Sequence, residues 1–80
     1  MMTRDDLAET IAAAHSDAGD TARIWERDDM VRVYVSETLS RGRRVDCGYA
    51  DVREDLTVGM CFTRARARRA SLTEDAIASV

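Results

Sequence analysis

Residues 56–69 read Leu56-Thr57-Val58-Gly59-Met60-Cys61-Phe62-Thr63-Arg64-Ala65-Arg66-Ala67-Arg68-Arg69. In an extended segment successive side chains point to opposite sheet faces. Leu56, Val58, Met60 and Phe62 then share one face, and Arg64, Arg66 and Arg68 continue it. The spacing predicts a core strand that leaves the fold as a basic ribbon. Residues 65–70 also have good helix propensity, so the point within 63–70 where sheet gives way to helix stays open.

Working back from this strand, Arg53, Glu54 and Asp55 form a turn, and Val45, Cys47 and Tyr49 alternate with Asp46, Gly48 and Ala50 as a further strand. Ser40, Arg41 and Gly42 punctuate. Val31, Val33 and Val35 against Arg32, Tyr34 and Ser36 make the plainest half-buried antiparallel strand of the chain. A short strand containing Ile24 and Trp25 precedes it, ended by a turn at Glu26-Arg27-Asp28-Asp29. Upstream, Thr3 and Asp6 are spaced as a capping box, with Asp5 and Asp6 at the positive end of the helix they open. Leu7, Ile11 and Ala14 lie on one side of that helix, flanked by Ala8 and His15; Asp5, Asp6, Glu9, Ser16 and Asp17 lie on the other. Gly19 can close it in the left-handed conformation. Downstream, Ser71 with Glu74, or Thr73 as cap, starts a short helix through Ala76, Ile77 and Ala78.

These elements predict one α+β domain over 1–80: an antiparallel meander of about four strands, an N-terminal amphipathic helix packed on one face, and a short C-terminal helix. The expected core is Leu7, Ile11, Ile24, Val31, Val33, Val35, Val45, Tyr49, Val58, Met60 and Phe62. A chain of 80 residues has one core of about twenty apolar side chains. Trp25, Tyr34, Tyr49 and Phe62 are its only aromatics, so that core is thin.

Formal net charge is −3, and it is segregated. Summed in blocks of twenty residues it runs −4, −1, 0 and +2. Every basic residue is arginine, a bias that fits either a GC-rich coding genome or selection for planar, bidentate contacts. The overall balance disfavours nonspecific nucleic-acid binding by the whole chain, because phosphate affinity scales with the cations presented together. No apolar stretch approaches membrane-span length, and Arg4, Asp5 and Asp6 stand where a secretory leader would be apolar, so a cytoplasmic location is expected. In a reducing compartment Cys47 and Cys61 are expected as free, buried thiols. They lack metal-site spacing, and with one histidine no metal or cofactor is expected.

Three groups of residues stand out as candidate sites. Glu26, Asp28 and Asp29 fall at one turn, and Asp51, Glu54 and Asp55 at or beside another; in an up-and-down meander those turns share one end of the sheet. With Asp5, Asp6, Glu9 and Asp17 they imitate a row of phosphates or form an ordinary solvated face. Arg64, Arg66, Arg68 and Arg69 are candidates for contacting a nucleic-acid backbone, or are charges that protect a strand edge from aggregation. Arg41, Arg43 and Arg44 form a second basic knot at the opposite end. An aromatic platform for single strands is not expected, because Phe62 and Tyr49 are assigned to the core and leave only Trp25 and Tyr34. For catalysis, His15 sits at the margin of an apolar helix arc, Cys47 and Cys61 lie in strand interiors, and no phosphate-cradling glycine loop is present, so a non-catalytic role is expected.

On its single small domain, acidic balance, helix-plus-meander plan and the turns Glu26-Arg27-Asp28-Asp29 and Asp51-Val52-Arg53-Glu54-Asp55, the chain resembles the small anti-CRISPR proteins of phages and other mobile elements that act on type I surveillance complexes. The resemblance spans the chain and carries no diagnostic motif; Arg64 to Arg69 depart from a purely acidic decoy. It implies a non-catalytic inhibitor, monomer or homodimer, that binds such a complex and blocks target DNA. Glu26, Asp28, Asp29, Asp51, Glu54 and Asp55 are then the partner-contacting set. The alternative is a small nucleic-acid-binding or transcription-regulating module that uses Arg64, Arg66, Arg68 and Arg69. A third is an accessory subunit or antitoxin-like partner.

Overall fold

The computed structural model describes residues Met1–Val80. Helix α1 (Arg4–Asp17) opens on the expected capping box: the Thr3 hydroxyl accepts from the Asp6 amide, and the Asp6 carboxylate accepts from the Thr3 amide, each at 3.1 Å. Gly19, at φ +97°, lets the chain turn out of α1 into β1 (Thr21–Glu26). Strands β2 (Met30–Thr38), β3 (Arg44–Arg53) and β4 (Val58–Phe62) follow, and helix α2 (Arg66–Ala78) ends the fold. The four strands form one antiparallel sheet in the order β1-β2-β3-β4, as the meander reading predicts. A single 3₁₀ turn at Ser40–Gly42 joins β2 to β3. No helix is long and apolar enough to cross a membrane.

Both helices lie over the sheet face that carries Val31, Val33 and Val35. α1 packs on β1, β2 and β3, while α2 packs against α1 and reaches β4. The buried apolar cluster between them holds eleven residues, Leu7, Ala8, Ile11, Val31, Val33, Val35, Cys47, Ala50, Val52, Phe62 and Ala76, a core as thin as the composition implies. The opposite sheet face has no helix on it.

Several expectations are corrected. Strand β3 does not alternate throughout: Val35 pairs with Gly48 and Ser36 with Asp46, so Cys47 is an extra residue in a β-bulge. Past it the parity reverses. Ala50 and Val52 enter the core, and Tyr49, expected inside, pairs with Tyr34 on the open face. Gly48 is what permits the bulge. Its φ is +122°, and a Cβ there would sit 2.0 Å from the Cys61 carbonyl oxygen. Ile24 and Met60 share the covered face but stay 46% and 38% exposed, because β1 and β4 are edge strands beyond full helix cover. Val45 is half-buried. Cys47 is buried and free as expected, whereas Cys61 is exposed, opposite Tyr49 on the open face.

The C-terminal helix also begins earlier than Ser71 or Thr73. β4 ends at Phe62, the Thr63 amide closes onto the Cys47 carbonyl at 2.9 Å, and Ala65 at φ 45° turns the chain into α2. Residues 66 onward take the helical option, held by the contacts of Arg69, so no basic β-ribbon forms. Thr73, expected as a cap, is fully buried in mid-helix.

Candidate functional site

The two acidic turns meet, as the meander topology requires, and α1 ties them together. The Arg4 guanidinium donates to the Asp28 carbonyl at 3.0 Å and lies 2.6 Å from Glu54 and 3.4 Å from Glu26. Its side chain is only 14% exposed, against 65% for Glu26 and 69% for Glu54. One covered cation therefore gathers carboxylates that still face solvent. Within the β3–β4 turn, Asp55 accepts from the Thr57 hydroxyl at 2.6 Å and from its amide at 3.1 Å; these bonds hold its carboxyl below the usual range. Asp28 and Asp29 are exposed at the tip of the β1–β2 turn. At this end the carboxylates of Asp5, Glu26, Asp28, Asp29, Glu54 and Asp55 outnumber Arg4, Arg27 and Arg53. Asp51 does not join them: it sits on the open face in a bidentate pair with Arg32, at 2.7 and 2.9 Å.

The basic set divides. Arg69 is fully buried. It donates to Asp20 at 2.9 and 3.1 Å, to Glu37 at 3.1 Å and to the Arg64 carbonyl at 2.7 Å. Arg64 donates to the other oxygen of Glu37 at 2.7 and 3.2 Å. The hydrogen bonds from Arg64, then Arg69, lower the Glu37 pKa. Arg66 and Arg68 are exposed, with Arg68 3.7 Å from Asp20. Two of the four arginines thus hold α2 onto the fold.

His15 and Thr73 complete this interior polar cluster. The Thr73 hydroxyl donates to the Arg69 carbonyl at 2.9 Å, so it accepts from His15 Nε2–H, also at 2.9 Å. Nδ1 then carries a lone pair that faces Asp20 at 3.7 Å and has no hydrogen-bond partner. Burial lowers the imidazole pKa, with Asp20 pulling the other way. This histidine is buried within the fold and is not displayed to a substrate. Burial also raises the Cys47 thiol pKa.

The open sheet face carries Trp25 and Tyr34, the two rings left as exposed candidates, and adds Tyr49, which sequence reasoning assigns to the core. Trp25, Tyr34 and Tyr49 lie on β1, β2 and β3, Tyr34 directly opposite Tyr49 and diagonal to Trp25, with ring centroids 5.9 and 6.3 Å apart. The Arg27 guanidinium lies 3.9 Å from the centre of the Trp25 ring and that of Arg32 3.8 Å from Tyr49. A cleft of about 610 Å³ beside Trp25 and Tyr34 is lined by Arg23, Ser36, Arg44 and Asp46 as well. For Tyr49, the signal available beforehand was Gly48 inside a strand pattern, a mark of a bulge.

No protein-family model, curated protein or solved structure matches this chain.

Proposed function

We propose that this chain is a non-catalytic inhibitor whose acidic end docks on the basic, DNA-holding channel of a partner complex. Following the resemblance, the partner class is a type I CRISPR surveillance complex. The chain is then a cytoplasmic product of a phage or mobile element that acts as a DNA mimic by occupying the target-DNA path. One observation carries this role: Arg4 pins the β1–β2 and β3–β4 turns side by side while leaving Glu26 and Glu54 about two-thirds exposed. A preformed patch of carboxylates is steered toward a basic channel and loses little entropy on docking. The contacting set is Glu26, Asp28, Asp29, Glu54 and Asp55, with Asp51 left to its pair with Arg32.

The test is a gel shift of duplex DNA by a purified type I surveillance complex, with this protein titrated in and a control of duplex and protein alone. Loss of the complex's shift with bare duplex unaffected is expected. Asp28→Lys combined with Asp29→Lys leaves the Arg4 clamp intact and places cations against the channel, so it should weaken inhibition about a hundredfold. Undiminished inhibition by the folded double variant overturns the role of the acidic end. No effect of the wild-type chain on the complex's shift overturns that partner.

A further inference from the structure

We infer that the helix-free face of the sheet is a binding surface for an unpaired strand of nucleic acid, separate from the acidic end and from Arg64–Arg69. Three observations converge on it. The first is the ring row. Trp25 is 46% exposed, Tyr34 and Tyr49 are half-buried, and the three rings step across adjacent strands of a four-stranded sheet. A rigid sheet that offers rings in sequence, with the guanidinium planes of Arg27 and Arg32 laid over Trp25 and Tyr49, gives bases flat faces to stack on, whatever the base.

Charge is the second. The chain is acidic overall, yet this face inverts the balance. Arg32 and Asp51 neutralise one another, leaving Arg23 and Arg44 against Asp46, with Arg27 of the β1–β2 turn reaching over Trp25 at the margin. All three arginines are exposed. Arg23 and Arg44 flank the cleft beside Trp25 and Tyr34, and Arg41 and Arg43, also exposed, continue the cations past the cleft edge. Phosphates of a strand whose bases lie on the rings would meet these guanidinium groups, which suit bidentate phosphate contacts. Duplex DNA keeps its bases stacked on one another and cannot use the row.

The third is how the rings are held. Tyr49 faces outward only because of the bulge at Cys47–Gly48, and Arg32 is fixed by Asp51 with its guanidinium over that ring. The rings are set in place before any strand arrives, which limits the ordering cost of binding. Arg27 occupies a face of Trp25 and can sandwich a base there as readily as it stacks on the indole.

Trp25 is the only tryptophan, so its fluorescence reports directly on stacking. The experiment titrates the chain with mixed-sequence twelve-nucleotide DNA and RNA single strands, and with the matching duplexes, while Trp25 emission is followed. Saturable quenching by single strands, at least tenfold weaker with duplex, is expected. Contacts to about three phosphates give a slope near −2 in log affinity against log salt. Tyr34→Ala, at a surface position that keeps the Trp25 reporter, should weaken binding about tenfold or more. Arg23→Gln with Arg44→Gln should weaken binding and flatten the salt slope. No quenching by single strands at low salt, equal affinity for duplex, or a folded Tyr34→Ala chain that binds undiminished overturns the inference. So does self-association through this face, read as a dimer in sedimentation that Trp25→Ala abolishes. The Asp28→Lys/Asp29→Lys chain should bind single strands at least as well as wild type, so failure here and failure of the acidic end are distinguishable.

Discussion

At the scale of single residues, Gly48 decides most. It combines φ +122° with a backbone carbonyl 2.0 Å from where a Cβ would stand. Gly19 has a similar φ of +97° and open space around it. The pair separates conformational strain from collision. Gly19→Ala should cost about 1 kcal/mol, whereas Gly48→Ala adds a clash with backbone that cannot swing away and should cost about 3 kcal/mol or more. Urea denaturation of both variants is the measurement, and equal losses would show that β3 relaxes around the new methyl group. The same residue explains what was illegible beforehand. Val45, Cys47 and Tyr49 read as one face by parity, and nothing in their side chains says that the backbone gains a residue between them. Only the glycine does, and a glycine inside a strand has several meanings.

Among the elements, α2 shows how a tertiary lock overrides local signals. Ser71 and Thr73 look like caps, yet the helix begins at Arg66 without a side-chain cap. Arg69 reaches back to the Arg64 carbonyl and across to Asp20 and Glu37. Helix propensity in Ala65–Ala70 was visible; the buried acceptors that select helix over strand come from the α1–β1 junction and β2, far away in sequence. Removing one partner of a buried ion cluster leaves the others uncompensated, which costs about 3–5 kcal/mol. Arg69→Met should therefore unfold much of the population of so small a domain. Arg64→Ala, whose side chain is 45% exposed, should cost under about 1 kcal/mol. Thermal melts of the two variants are the check, and comparable melting points would contradict the lock. The meander, the α1 capping box and the meeting of the two acidic turns were legible, because periodicity and hairpin topology alone determine them.

Over the whole molecule, titration and stability are linked through the interior polar cluster. Burial keeps the folded His15 pKa below its ordinary 6.5, so the unfolded chain takes up the proton first. The stability tied to neutral His15 is complete above that value and drains as pH falls through it toward the folded pKa. Glu37, held below its ordinary 4.5 by Arg64 and Arg69, contributes stability that is complete above 4.5 and fails as pH drops below it. Acid should therefore act in two stages, the upper one absent in His15→Gln. Urea-derived stability measured from about pH 7.5 to 3.5 reads both stages; an identical upper slope in the variant would remove His15 from the linkage.

The bulge at Cys47 and Gly48 also gives β3 one place where its length can change without consequence for its faces. Removing a residue from an ordinary strand exchanges core and surface beyond the cut. Here Cys47 is the unpaired extra residue, so a chain lacking it would alternate strictly, with Asp46 and Tyr49 still on the open face and Ala50 and Val52 still in the core. Only the small thiol would leave the interior. A one-residue deletion at any other position of β3 would put the ring row and the core out of step.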